Sequence, residues 1–191
     1  MVVVGAGMTG CGDDAEPTSS ESSASVWPQP TADSMTIDPV DEIDGAELFE
    51  SDGVSVLVPD GWETRRTETA DYVMIHVLQP DDERNPVAVM IETQEGSADA
   101  VEATASVTFA QLGASGATDL LQRPVTWAGW PYASGVTGIF DQGSDGEVVD
   151  FVQVVALSGS GMVVGVSAQA PRGELDDSLA YEILRSVRPV D

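Results

Sequence analysis

The chain has 191 residues, of which 42% are hydrophobic and 6% aromatic, so it suits one folded domain plus a tail and is not wholly disordered. Its net charge at pH 7 is −26, with 33 acidic residues against 7 basic ones that are all arginine, which argues against nucleic acid and against electrostatic docking to anionic lipid. A single cysteine and a single histidine exclude an intramolecular disulfide and a site built from the usual nitrogen and sulfur ligands, so we predict no metal and no cofactor.

The first ten residues form a short apolar run that closes on small residues before Cys11. The segment Met8-Thr9-Gly10-Cys11 resembles the lipobox of bacterial lipoprotein signal peptides. That resemblance implies removal of residues 1–10 and attachment of acyl chains such as palmitate to Cys11. No basic residue precedes Cys11, although signal peptides open with one, so we expect a translation start further upstream. The alternative is a cytosolic protein whose Cys11 is an ordinary exposed thiol.

Residues 11–44 are acidic and rich in serine, threonine and proline, and they show no apolar periodicity. Such a segment cannot bury enough apolar surface to offset its ordering entropy, so we predict a disordered linker. It would hold a domain at roughly 30 Å from its anchor. A lipidated cysteine followed by an acidic tether is typical of a lipoprotein on the extracytoplasmic face of the cell membrane.

The folded domain is predicted to span residues 45–191 and to open with a hairpin. Two short apolar runs, 46–49 and 54–58, flank Asp52-Gly53, which is a strong turn signal. After the hairpin comes Trp62, which we expect to cover the core.

A second hairpin is predicted from the β-branched runs 72–78 and 87–92, which are joined by the polar loop 80–86. His76 lies within the first of these strands. A lone histidine in a strand is more often a surface or packing residue than a ligand, and we expect this of His76.

Two helices follow from apolar residues at helical spacing. The first begins at the N-cap Ser97 and ends near Gly113. The second covers residues 174–187, with acidic residues in its first turn and arginine at its end. We expect one face of this helix to carry the apolar residues Leu175, Leu179, Ile183 and Leu184.

Glycine-containing turns separate the strands between the helices. These strands are predicted at residues 119–122 or 125–127, 133–140, 148–157 and 162–170. Strands, helix, strands and helix in that order favour an α+β fold, an antiparallel sheet of about six to seven strands with two main helices packed against it.

A resemblance to a known family is carried by residues 56–62 after the first hairpin, 129–133 before a strand, and 177–179 with 183–187 at the end. On these residues the chain resembles the PsbP-like fold and, more narrowly, the LpqN/LpqT-type lipoproteins of actinobacteria, over about residues 46–189. The resemblance implies an accessory or interaction module and assigns no catalytic residue.

The sequence contains neither a GxSxG motif nor a glycine-rich phosphate loop. The acidic residues around Gly143 superficially resemble a calcium loop, but Val152 stands where a bidentate glutamate belongs, so we interpret 141–147 as a hairpin turn. The acidic residues 81–83 are no stronger a candidate for a calcium site. Paired carboxylates are frequent in so acidic a chain, which leaves a carboxylate-dependent hydrolase as the alternative function.

The strongest contact candidate is the aromatic cluster Trp127, Trp130 and Tyr132 beside a turn, although packing in the core is the commoner role for at least two of them. We therefore predict a noncatalytic module that binds an envelope protein or lipid. Lipid binding requires an apolar cavity between sheet and helix, whereas protein binding requires an exposed patch around the aromatic residues.

Overall fold

The computed structural model describes residues 34–80, 87–141 and 148–190, so Cys11 and the acidic segments 81–83 and 142–147 lie outside the described residues. The helices are α1 (Ala98–Ala114) and α2 (Leu179–Ser186), with a 3-10 turn at Leu175–Asp177 before α2. The strands are β1 (Met35–Ile37), β2 (Ala46–Ser51), β3 (Val54–Pro59), β4 (Glu63–Glu68), β5 (Val73–Leu78), β6 (Val87–Glu95), β7 (Thr118–Trp127), β8 (Tyr132–Asp141), β9 (Val148–Leu157), β10 (Met162–Pro171) and β11 (Arg188–Pro189).

The main sheet has eight strands in the order β1-β7-β8-β9-β10-β6-β5-β4, and a smaller sheet has the order β11-β3-β2. All neighbours are antiparallel except β1 and β7, which are parallel. The α+β class is thus confirmed, but the predicted six to seven strands are too few. The additional strands β1, β4 and β11 are short or almost wholly polar, so apolar alternation does not mark them.

The first hairpin forms where the sequence predicts it. Asp52 and Gly53 have φ angles of 49° and 75°, the left-handed pair that a tight hairpin turn requires. Arg66 on β4 donates from Nε and Nη2 to the carboxylate of Asp52, at 2.7 and 2.8 Å. This hydrogen-bonded arginine lowers the pKa of Asp52 to about 2. The pair therefore ties the turn of the small sheet to the edge of the main sheet.

Alternation along the central strand β9 gives the main sheet two different faces. Val152 and Val154 point into the larger core, which is closed by α2 and the small sheet. Phe151 and Val155 point to the opposite face, where they pack with Val101 of α1 in a second, smaller core. Trp62 packs against the larger core, as predicted. The sheet is therefore covered on both sides, but by elements of different size.

The carboxyl-terminal part of the predicted linker, residues 34–44, belongs to the folded domain. Within residues 34–44, β1 pairs in parallel with β7, and Ile37 lies opposite Trp127. Ile37 is 1% exposed and Ile43 8%, and the Val40 amide donates to the Arg185 carbonyl at 3.1 Å. Composition missed this segment because its few apolar residues are separated by acidic ones and by proline.

The C-terminal helix is shorter than predicted because Ser178 divides the segment. Its Oγ accepts a hydrogen bond from the Tyr181 amide at 3.1 Å and so caps α2. Ile183 and Leu184 are fully buried, whereas Leu179 is 36% exposed. The predicted apolar face therefore holds for the second half of the helix and is wrong at Leu179. Neither helix in the described ranges is long and apolar enough to cross a membrane.

Candidate functional site

Helix α1 covers only part of its face of the main sheet. It packs on β7, β8 and β9 and on Val163 near the start of β10. Among the described residues, Ser167 of β10, Met90 of β6 and His76 of β5 are only half-buried on the same face. We call this half-buried part of the sheet the open face. A cleft of about 330 Å³ occupies the boundary between α1 and this open face. Its lining comes from α1 and four strands, and comprises Ala88, Met90, Leu112, Phe140, Phe151, Gln153, Ser167, Ala168 and Gln169.

The wall of the cleft next to the helix is apolar. Leu112 comes from α1, Phe140 from β8 and Phe151 from β9. Gly138 lies beside Phe151 on β8, and a Cβ atom there would come within 3.0 Å of the Phe151 ring and 2.8 Å of Leu120. Because Gly138 has no side chain, the ring of Phe151 fits beside it in the cleft.

Polar groups occur where the cleft leaves the helix. Ser167 on β10 lies opposite both Gln153 on β9 and Met90 on β6. Gln169 follows two residues later on the same face of β10. An apolar wall with a few amide and hydroxyl groups is the usual make-up of a small-molecule site.

Beyond Met90, the open face carries ionisable side chains. His76 on β5 is opposite Met90, and Arg65 on β4 is opposite His76. Burial, and then the charge of Arg65, lowers the pKa of His76, so the imidazole is neutral at pH 7. Burial also raises the pKa of Glu92, which faces Met74 across the strands. The cleft therefore opens onto a half-buried cluster of polar and sulfur-containing side chains.

The predicted aromatic cluster is divided between two environments. Trp127 and Trp130 are 2% and 6% exposed and lie in the larger core, with ring centroids 5.2 Å apart. Neither indole Nε1 has a hydrogen-bond partner among the described residues. Tyr132 is 39% exposed, and its hydroxyl donates to Glu102 of α1 at 2.7 Å, which raises the pKa of Tyr132 to about 12. A role of these residues in partner contact stays a prediction, for which Tyr132 is the accessible member.

The hydrolase alternative requires a pair of carboxylates in a shielded site. Glu92 is half-buried, and its cross-strand neighbour is Met74. The fully buried polar side chains of the described segments are Ser55, Thr93, Ser134, Ser158 and Ser186. The carboxylate-dependent hydrolase therefore stays a prediction, and we assign it no pair of carboxylates among the described residues.

Sequence reasoning missed the cleft, although a signal for it exists. Ser167 and Gln169 interrupt an otherwise small and apolar strand at a spacing of two, and Gln153 interrupts β9. A strand covered on both faces is a nearly continuous apolar run. Polar residues on alternate positions of two paired central strands therefore indicate one face that no helix covers.

The fold and the cleft define an α+β domain with an apolar cleft between its first helix and the main sheet. No protein-family model matches the chain, and no curated protein matches it by sequence.

The chain is similar to two solved structures over about four fifths of its length. One is LpqN of Mycobacterium tuberculosis, described as involved in cell envelope biogenesis, with 17% identity over 81% of this chain and 90% of LpqN, and a TM-score of 0.46. The other is a protein of Bacteroides thetaiotaomicron, with 15% identity over 77% of this chain and 49% of that one, and a TM-score of 0.46. This chain thus spans about half the length of the Bacteroides protein. At these identities and scores, neither likeness assigns a family or a function.

Proposed function

We propose that this chain is a noncatalytic binding module of the cell envelope that is anchored to the extracytoplasmic face of the membrane through a lipid on Cys11. Its domain binds one acyl chain of an envelope lipid in the cleft beside α1. The observation that supports the binding role is the apolar cleft between helix and sheet, the feature that lipid binding requires.

The chemistry of the cleft fits an amphiphile. Leu112, Phe140 and Phe151 offer an apolar wall to the chain, while Gln153 and Ser167 offer amide and hydroxyl groups to an ester or amide at its head. Burial of about eight methylene groups contributes about 6 kcal/mol, which corresponds to dissociation constants of tens of micromolar at best, because association also costs entropy. Such an affinity suits a ligand that is exchanged with a membrane.

Filling the cleft tests the binding role. We expect the variant Ser167→Phe to bind the glycerol monoester of cis-parinaric acid at least about ten-fold more weakly than the wild type, because the added ring fills part of the cleft and the hydroxyl offered to the ester is lost. Ten-fold equals about 1.4 kcal/mol of binding free energy. The probe is neutral, since a chain with a net charge of −26 repels free fatty acids. Binding is measured by the fluorescence of the polyene chain of the probe when that chain is shielded from water.

The control is Thr126→Phe, which places the same ring at an exposed position of β7 outside the cleft lining. It should bind the probe as the wild type does. If both variants bind like the wild type, or if the wild type shows no saturable binding, the cleft is not an acyl-chain site.

Replacing Cys11 tests the anchor separately. The gene, with its upstream in-frame codons, is expressed in a bacterium that lipidates secreted proteins, and wild type is compared with Cys11→Ala. We expect the wild type in the detergent phase, with acyl mass on the peptide that begins at Cys11, and the variant in the aqueous phase. Equal partitioning, with no acyl mass on Cys11, would show that the chain is not lipid-anchored.

A further inference from the structure

We propose that Met74, His76 and Met90 bind one Cu(I) ion on the open face of the main sheet, beside the apolar cleft. The proposal does not rest on the acyl-chain role, although Met90 also lines the cleft.

The first two donors are already in contact. Met74 and His76 are two residues apart on β5, so their side chains share a face of the strand. His76 Nε2 lies 2.9 Å from Met74 Sδ. Both side chains are half-buried, which leaves them accessible to an ion from the open face.

The third donor comes from the neighbouring strand. Met90 on β6 is the direct partner of His76 in the sheet, and side chains at such positions have Cβ atoms about 4.5–5.5 Å apart. Met90 is also half-buried. Glu92 lies opposite Met74 and completes a square of four side chains on two strands. Two sulfur atoms, one imidazole nitrogen and one carboxylate therefore share one patch of the sheet.

The donor types select the metal. Thioether sulfur is a soft ligand that favours Cu(I), whereas Mg²⁺ and Ca²⁺ require oxygen and structural zinc sites use thiolate and imidazole. No group of three or more His, Cys, Asp and Glu side chains within the described part of the chain is arranged to hold a metal. A metal in this patch must therefore be bound through methionine.

The surrounding charges act in opposite directions. Arg65 lies opposite His76 on β4 and opposes an added cation, while Glu92 favours one. The contact between His76 and Met74 must widen to admit an ion, which the unbranched methionine side chain permits through its three rotatable bonds.

Nuclear magnetic resonance can locate the ion, because the chain has one histidine and Cu(I) is diamagnetic. Cu(I) is added without oxygen to the full-length Cys11→Ser chain, in which no thiol competes. We expect the ring signals of His76 and the methyl signals of Met74 and Met90 to shift together and to saturate at one equivalent. The methyl signals of Met35 and Met162 should not move.

Substitution measures the contribution of each thioether. In competition with bicinchoninate, Met74→Leu and Met90→Leu should each weaken Cu(I) binding by at least about ten-fold, while Met162→Leu should not. Exchange of methionine for leucine conserves volume, so the variants are expected to fold. A His76 ring that does not shift, or equal Cu(I) affinity in all three variants, would overturn the proposal.

Discussion

Replacing Ile37 with alanine is expected to lower the free energy of unfolding by about 2–5 kcal/mol, the usual cost of truncating a fully buried isoleucine. Ile37 is 1% exposed, belongs to the larger core and pairs with Trp127 through β1. Its removal leaves a cavity beside a buried indole ring. Urea denaturation of the wild type and the variant measures the difference in the free energy of unfolding. The comparison requires that both proteins show the same slope of free energy against urea concentration.

The matched control is Thr36→Ala on the same strand, where the side chain is exposed. Its effect should stay within about 0.5 kcal/mol, as for most surface substitutions. The pair distinguishes a folded β1 from a linker, since a linker would tolerate both changes equally. If Ile37→Ala is as stable as Thr36→Ala, residues 35–37 are not part of the folded domain.

Replacing Ile183 with alanine is expected to cost a similar 2–5 kcal/mol and to lower the melting temperature by roughly 4–20 °C. Ile183 is completely buried, and its helix, α2, packs on β3 of the small sheet and on β6 and β10 of the main sheet. The loss therefore loosens the contact between the two sheets. Thermal unfolding followed by circular dichroism gives the shift in melting temperature.

Leu179→Ala serves as the control on the same helix, because Leu179 is 36% exposed. We expect it to cost clearly less than Ile183→Ala, since about a third of the Leu179 surface already lies in water. The sequence alone predicts comparable costs at both positions, whereas the structure predicts a large difference. Equal costs would support the uniform apolar face and contradict the partly exposed position of Leu179.

The candidate site was less predictable than the elements that carry it. β9 and β10 were predicted at almost their observed bounds, because ten-residue apolar runs between glycine turns are strong local signals. The neighbourhood of His76 was not predicted. Its contact with Met74 is local, but its pairing with Met90 depends on the register of β5 against β6.

The aromatic cluster shows the same division. Trp127, Trp130 and Tyr132 are close in sequence, and a prediction from sequence treats them as one group. In the structure the two tryptophans enter the larger core, while Tyr132 reaches the opposite face and Glu102. The face on which each side chain lies follows from strand alternation and from the turn between them, which sequence proximity does not reveal.

The sequence by itself determined the features that depend on a few adjacent residues: the Asp52-Gly53 turn, the start of α1 at Ser97, and the long strands β9 and β10. It also determined the net charge of the chain, −26 at pH 7. Only the tertiary structure decided that α1 packs mainly on β7, β8 and β9, so that Ser167 of β10 and Met90 of β6 line a cleft beside it. The reason is physical, since a turn or a cap is a local balance of backbone energies, while the exposure of a sheet face depends on where a distant helix packs.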